Sequence, residues 1–363
     1  MAEAEEGAIR GFEQRAPAQG PLTLHGTQVQ PGTHVTIDLP VAQLYTHTAL
    51  NIPLQVFRGR RAGPVLLLSA AIHGDELNGI EIIRRILRHR ALGRLRGTLI
   101  AAPVVNVFGF IHRERYLPDR RDLNRCFPGS ERGSLGSRVA DLFKREVLDL
   151  CTHVVDLHTG AIHRSNLPQI RADMSQPDVA AMARAFGLPV ILDSSPLAGS
   201  MREVAGNAGI VALVYEAGEA LRFEEASIRA GVRGCIRVMR HLGMLPPSRR
   251  SRSRSWAPFV ARSSQWVRAD IDGVFRPHAE LGAHVKKDDL LGKVSSPMGE
   301  GEVEIRAPAA GVLIGRNNIP LVNEGEALFH IARFDELGDV VRGVEAFRSV
   351  MLEGDEPIDP PVV

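Results

Sequence analysis

The sequence predicts an α/β domain followed by an all-β domain. Continuous apolar runs, typical of strands buried on both faces, alternate with amphipathic segments of helical spacing. After residue 260 the pattern changes, and glycine and proline recur every several residues between short alternating runs. We therefore expect a three-layer α/β domain with a mixed, largely parallel sheet, and a smaller all-β domain behind it.

The elements of the α/β domain follow one another in a regular order. Two β-rich pieces precede it, over residues 34–39 and 54–57. The pattern then predicts strands over 65–71, 99–105, 154–157, 190–192 and 210–215, and helices over 76–90, 135–148, 179–186 and 224–242.

The pattern divides the 363 residues into five segments. They are an N-terminal tail with a β-rich segment (1–60), the α/β domain (61–245), a Ser/Arg-rich linker (246–260), the β domain (261–335) and a C-terminal tail (336–363). We expect the first 20 residues to be a frayed tail or an oligomer contact, and the C-terminal tail to pack loosely.

Composition excludes several classes of protein. Lysine and arginine (44) balance aspartate and glutamate (42), and this argues against a nucleic-acid-binding protein. The three cysteines fit a reducing compartment rather than a disulfide framework. We expect no membrane span, since no apolar run reaches about 18 residues, and no signal peptide, since the N-terminal stretch is acidic. A cytoplasmic protein that binds neither nucleic acid nor membrane is expected.

The β domain consists of two similar halves. Residues 273–294 and 311–331 each run from a Gly-initiated strand through a turn to a second strand. This pseudo-repeat resembles the barrel-sandwich hybrid of biotinyl and lipoyl carrier domains. A carrier presents a lysine at the hairpin between its halves, but residues 295–301 contain none and Lys293 lies in the preceding strand. We interpret the domain as a structural module.

Two strand ends carry metal-ligand residues. His73 and Glu76 lie where the first buried strand meets a helix, and His158 follows the strand over 154–157. Ligand sites of open α/β sheets lie at such ends, and two histidines with one glutamate form a common catalytic zinc site. Asp156 is a candidate partner for a histidine. The alternatives are that Glu76 is a helix N-terminal acid, that His73 is merely polar, and that His158 is a strand-end histidine with satisfied hydrogen bonds.

Two further segments carry charged candidates. Asn124 and Arg125 lie in a charge-rich stretch over 119–129, where an amide and a guanidinium can hold a carboxylate, with Arg115 nearby. The alternative is a solvated loop with local ion pairs. Glu216 closes a buried strand and can act as general base and acid, although it can also be a helix N-terminal acid, and Glu219 is a competitor.

The four motifs occur in an order that points to one family. HGDE, DLNRCFPG, VVDLHTG and YEAG together resemble the succinylglutamate desuccinylase/aspartoacylase family of zinc-dependent deacylases, over about residues 60–245. The β module resembles that of a branch including deacetylases of N-acetylated diamino acids. The resemblance implies a zinc-carboxypeptidase-like fold and one Zn²⁺ per subunit, held by His73, Glu76 and His158.

The resemblance also implies the other roles. Asn124 and Arg125 match the pair that holds the substrate carboxylate, and Glu216 matches the base that activates water. Arg115 matches the arginine that polarises the scissile carbonyl, although Arg113 is close enough to compete. We therefore expect a homo-oligomeric hydrolase that removes an acyl group from a small N-acylated amino acid.

Three alternatives remain at this stage. A zinc carboxypeptidase that cuts peptides would use the same fold and ligands, and an esterase would use the same site. A non-catalytic binding or carrier protein, built around the β module, belongs to a different class. The sequence leaves the acyl group and the amine open.

Overall fold

The protein is described from a computed structural model that defines residues 22–247, 258–335 and 338–352. The frayed tail or oligomer contact predicted at the N-terminus, most of the Ser/Arg-rich linker and the Pro-rich C-terminal end lie outside these ranges. Within them, no helix combines the length and the apolar character that a membrane crossing requires.

The described residues form 19 strands and seven α-helices. The strands are β1 (Leu22–Leu24), β2 (Thr27–Val29), β3 (His34–Gln43), β4 (Ala49–Arg58), β5 (Arg61–Ala70), β6 (Arg96–Ala102), β7 (His153–Gly160), β8 (Arg164–Ala172), β9 (Val190–Asp193), β10 (Val211–Glu219), β11 (Phe259–Ala261), β12 (Ser263–Arg268), β13 (Gly273–Pro277), β14 (His284–Val285), β15 (Leu290–Ser295), β16 (Val303–Arg306), β17 (Gly311–Asn317), β18 (Leu321–Val322) and β19 (Ala327–Arg333). The helices are α1 (Asn78–Leu87), α2 (Val107–His112), α3 (Leu135–Glu146), α4 (Pro177–Phe186), α5 (Met201–Asn207), α6 (Glu225–His241) and α7 (Gly338–Leu352).

A mixed sheet of 13 strands forms the centre of the molecule, with the main order β12-β19-β17-β8-β10-β7-β5-β6-β4-β3. Strands β6, β5, β7 and β10 are mutually parallel, whereas β4 and β8 pair antiparallel with the two outer members of this set. The carboxyl ends of β5, β7 and β10 therefore meet at one edge, which is where open α/β sheets bind ligands.

Helices cover both faces of this sheet. Apolar side chains of α1, α4 and α6, such as Ile82, Phe186 and Ile228, form a core on one face. Val139 and Phe143 of α3 and Met201 of α5 pack on the other. The predicted three-layer α/β fold is thus confirmed, together with the β-rich region that follows it.

The C-terminal β region is joined to the α/β part by hydrogen-bonded strands. Four of its strands form a separate antiparallel sheet in the order β16-β15-β13-β18. Strands β17, β19 and β12 instead extend the main sheet, because β17 pairs antiparallel with β8. The two parts therefore share one continuous sheet, which the sequence did not predict.

The C-terminal tail does not pack loosely, and for residues 338–352 that prediction is wrong. This segment forms α7, in which Val340, Val344 and Phe347 are buried. Their spacing places them on one face of a helix, and Phe347 joins the core that also contains α6 side chains. These three side chains therefore anchor the segment to the rest of the protein.

Candidate active site

The three residues predicted to bind a metal ion lie together. His73 follows β5, Glu76 comes just before α1, and His158 lies near the end of β7. All three are buried, and their ligand atoms lie within 4.8 Å of one another. The Glu76 carboxylate stands between the histidines, with Oε1 2.8 Å from Nδ1 of His73 and Oε2 2.9 Å from Nδ1 of His158.

The chain reaches this position through a tight turn after β5. Ala71 adopts a left-handed conformation, with φ of 47°. Gly74 then passes so close to Gly109 that a Cβ atom at residue 74 would lie 2.0 Å from the Gly109 carbonyl carbon. Residue 74 must therefore be a glycine because a side chain would clash with Gly109, whereas the left-handed backbone conformation in this turn belongs to Ala71.

A second carboxylate holds the outer edge of each imidazole. Nε2 of His73 lies 3.0 Å from Oδ1 of Asp122, and Nε2 of His158 lies 2.8 Å from Oδ2 of Asp156. Since a carboxylate accepts, each Nε2 donates to its aspartate, and Nδ1 is the ring nitrogen that would bind a metal ion beside Glu76. This is the arrangement in which protein histidines bind a metal ion, so the residues present fit zinc.

The electrostatics of the cluster favour positive charge. Burial would raise the pKa of Glu76, but the two neighbouring histidines hold it below its ordinary value. Burial would lower the pKa of His158, but Asp156 and Glu76 raise it well above its usual range. The cluster therefore suits a divalent cation, which supplies the positive charge that the surrounding carboxylates attract.

Arg115 lies beside the cluster. Its two terminal nitrogens donate to Glu76 Oε1 at 3.1 Å and to Asp122 Oδ2 at 3.0 Å. Arg113 is exposed and lies at the left-handed C-terminus of α2. The structure thus brings Arg115 to the cluster and leaves Arg113 outside it.

Asn124 and Arg125 lie in a short 3₁₀ helix, Leu123–Arg125. The Asp122 side chain caps this helix by accepting a hydrogen bond from the Asn124 backbone N–H. Asn124 is buried, and its Oδ1 accepts a hydrogen bond from the Met201 backbone N–H at 2.9 Å. That bond leaves its Nδ2 group as the donor for a ligand. Arg125 is exposed, and its Nη1 donates to the Asn124 carbonyl.

Glu216 lies next to His158 across the sheet. The two residues are register partners on the parallel strands β10 and β7. Asn166 Nδ2 donates to Oε2 of Glu216 at 2.7 Å, and Arg171 Nε lies 3.2 Å from Oε1. Glu219, the competitor, is buried and accepts from the backbone of His163. Glu216 is therefore the carboxylate that flanks the cluster.

Three residues at the site did not follow from the sequence. Asp122 contacts both His73 and Arg115, yet it appeared only as one member of a charge-rich stretch. Asn166 and Arg171 belong to β8, which was not predicted because Pro168 interrupts it and argues against a central strand. The sheet accommodates that proline beside a register shift opposite Glu216 and Gly218.

Comparison with known proteins identifies relatives of the chain. Residues 62–242, about half of the chain, match the model of the succinylglutamate desuccinylase/aspartoacylase catalytic domain. The chain is 27% identical over 302 residues to the N-alpha-acetyl-L-2,4-diaminobutyric acid deacetylase of Halomonas elongata, an alignment that spans 79% of this chain and 87% of the relative. It is 30% identical over 224 residues to the succinylglutamate desuccinylase of Pseudomonas aeruginosa, covering 56% of this chain and 65% of that protein.

A solved structure is similar over nearly its whole length. The product-bound ectoine utilization protein EutE (DoeB) of Ruegeria pomeroyi superposes with a TM-score of 0.75 at 27% identity. The match covers 86% of this chain and 98% of that protein, so it extends into the C-terminal β region.

Proposed function

Because the chain belongs to the succinylglutamate desuccinylase/aspartoacylase family and is an N-acyl amidohydrolase, we propose that it is a zinc-dependent enzyme that removes an acyl group from the nitrogen of a small N-acylated amino acid. Both relatives are named for the removal of an acyl group from an amino acid, which is N-alpha-acetyl-L-2,4-diaminobutyric acid in one name and succinylglutamate in the other. The observation that carries the proposal is the convergence of His73, Glu76 and His158, with Glu216 beside them.

His73, Glu76 and His158 would hold one zinc ion per subunit through two imidazole nitrogens and a carboxylate. A bound zinc ion with an open coordination position supplies Lewis-acid chemistry, acidifying water and polarising a carbonyl. The carboxylates of Asp122 and Asp156 keep both imidazoles in the orientation and tautomer that this task requires.

Glu216 carries the proton in this reaction. It takes a proton from the attacking water as the new carbon–oxygen bond forms, and it gives that proton to the departing nitrogen as the carbon–nitrogen bond breaks. Arg115 lies beside the ligand cluster, where further N–H groups of its guanidinium can stabilise the developing oxyanion.

Asn124 and Arg125 would bind the carboxylate of the amino acid. The Nδ2 group of Asn124 and the exposed guanidinium of Arg125 offer neutral and charged donors from one short turn. A substrate anchored there is fixed at one end, so that its amide is presented to the ligand cluster.

A substrate screen on the zinc-loaded protein tests the proposal. N-acetyl and N-succinyl amino acids are assayed beside peptides and esters of the same amino acids, and bound zinc is measured by elemental analysis. We expect about one zinc per subunit and the highest kcat/KM with an N-acyl amino acid. A preference for peptides would favour a carboxypeptidase, and absence of stoichiometric zinc would favour a non-catalytic protein.

A further inference from the structure

We infer that the C-terminal β region is part of the catalytic centre, because it fixes Asn166 in the position from which Asn166 holds the Glu216 carboxylate. Asn166 is thus a positioning residue. The inference rests on the proposed function, in which Glu216 handles the protons.

A row of register partners crosses the sheet from the C-terminal region to Asn166. Trp266 on β12 pairs with His330 on β19, and His330 pairs with Gly315 on β17. Gly315 in turn pairs with Asn166 on β8. The Asn166 side chain then donates to Glu216 at 2.7 Å.

The absence of a side chain at Gly315 makes this arrangement possible. A Cβ atom there would lie 3.0 Å from the His330 Cβ and 3.2 Å from Oδ1 of Asn166, both tighter than ordinary contacts. The Trp266 ring covers the same spot, with its nearest atom 3.5 Å from that position. Asn166 therefore packs directly against β17, and a side chain at residue 315 would displace it.

The other end of the row is an aromatic stack. The rings of Trp266 and His330 are nearly parallel, with centroids 4.4 Å apart, and the Arg164 guanidinium lies 5.6 Å from the Trp266 ring centre. His330 is buried, and burial together with Arg171 lowers the pKa of its imidazole to about 3. The His330 imidazole in this stack is therefore uncharged, and His330 and Trp266 pack against Gly315.

Both oxygens of Glu216 are held from β8. Asn166 donates to Oε2, and Arg171 forms an ion pair with Oε1 at 3.2 Å, so the carboxylate that must exchange a proton in two directions is oriented from one strand. Asn166 is 7% exposed, and bulk water has little access to replace its hydrogen bond. Displacement of Asn166 should therefore impair the chemical step more than substrate binding.

Matched variants of the full-length, zinc-loaded enzyme test the inference. Asn166→Ala removes the hydrogen bond, Asn166→Asp keeps the shape but opposes Glu216 with a like charge, and Gly315→Val displaces Asn166 from the C-terminal side. Asn318→Ala is the control, because Nδ2 of Asn318 also bonds from the C-terminal region to the α/β part, at Glu219 and Ser165. Gly338→Ala controls for glycine replacement, because nothing lies within 4 Å of its Cβ position.

We expect Asn166→Ala, Asn166→Asp and Gly315→Val each to lower kcat about 10- to 100-fold, the loss typical of a misplaced catalytic group, with KM changed less than about threefold. Both controls should keep kcat within about twofold. Zinc content should be the same in all variants. Crystal structures of Asn166→Ala and Gly315→Val should show the Glu216 carboxylate rotated from its position.

Two results would overturn the inference. One is an Asn318→Ala variant that loses as much kcat as Asn166→Ala, since contact between the two parts would then matter only for stability. The other is a structure in which Glu216 keeps its place without Asn166. That second result does not depend on activity, so failure of the inference is distinguishable from failure of the proposed reaction, which the wild-type substrate screen reports.

Discussion

Asp156 orients His158 from two residues earlier on the same strand, because its Oδ2 accepts from Nε2 of that histidine at 2.8 Å. Its other oxygen accepts a hydrogen bond from the Ser69 hydroxyl on β5 at 2.7 Å. Ser69 of β5 thus holds the Asp156 carboxylate, and this carboxylate in turn orients the His158 side chain near the end of β7. The orientation of His158 therefore depends on a chain of contacts that begins in the core of the sheet.

Asp156→Asn should weaken zinc binding about 10- to 100-fold, as is usual when the outer partner of a histidine ligand is lost. The substitution keeps the shape but removes the charge that favours the required tautomer. Competition with a chelator of known affinity measures the effect. Asp149→Asn is the control, since Asp149 binds Lys144 away from the site. Equal affinities in wild type and Asp156→Asn would contradict the role of Asp156.

Glu216→Gln should retain zinc and lose turnover. The amide has the same shape as the carboxylate but cannot take up a proton, so we expect kcat to fall about 10²- to 10⁴-fold. Zinc analysis and steady-state kinetics on the same preparation measure both quantities. Near-normal turnover would reject Glu216 as the base, and Glu219→Gln would then be the next variant to assay.

Arg125→Ala should mainly weaken binding of carboxylate substrates. Loss of a charge-assisted hydrogen bond of about 1.5–3 kcal/mol corresponds to a rise in KM of about 10- to 100-fold, with kcat little changed. Arg121→Ala is a suitable control, because Arg121 is exposed on the same loop and pairs with Asp119. An unchanged KM in Arg125→Ala would show that the carboxylate is held elsewhere.

The sequence was sufficient for the ligand cluster because of where its residues lie. His73 follows β5 and His158 lies near the end of β7, and residues 65–70 and 153–160 of these two strands are buried. Parallel strands of that kind end at the same edge, so histidines at their ends can be expected to meet. The strands and helices that were predicted in the α/β part followed from the same periodicity, whereas α2, β8 and α5 were not predicted.

The supporting residues could not be found in the same way. Asn166 and Arg171 lie on β8, an antiparallel strand whose polar side chains and internal Pro168 hide the alternation of a strand. The pairing of β8 with β17 joins residues about 150 positions apart in the sequence, and no local sequence pattern predicts such a pairing. Asp122 was visible as a charge, but only the fold shows that it meets His73.

Gly234→Ala should destabilise the protein even though alanine is the better helix former. Gly234 lies in α6, and a Cβ atom there would lie 1.8 Å from the Phe186 ring. We expect a loss of about 1–3 kcal/mol in the free energy of unfolding from overpacking. Gly206→Ala in α5, with nothing within 4 Å of its Cβ position, should instead be neutral or stabilising. Urea denaturation of both variants measures the difference, and equal midpoints would contradict the packing described for α6.

The buried His330 should make the protein less stable as the pH falls. Burial and the nearby Arg171 guanidinium lower the pKa of its imidazole to about 3, from an ordinary value of 6.5. Below about pH 6.5 the unfolded chain therefore binds a proton that the folded chain does not. The contribution of this residue is complete above that pH and is lost as the pH falls towards about 3, at up to ~1.4 kcal/mol per pH unit.

His330→Phe keeps an aromatic ring against Trp266 and removes the titrating group. Its free energy of unfolding, measured by urea denaturation at several pH values between about 6.5 and 4, should therefore fall less steeply than that of the wild type. Because every other titratable group is shared by the wild type and His330→Phe, the difference in slope belongs to His330. Identical slopes for wild type and His330→Phe would mean that this imidazole accepts its proton without cost in the folded protein.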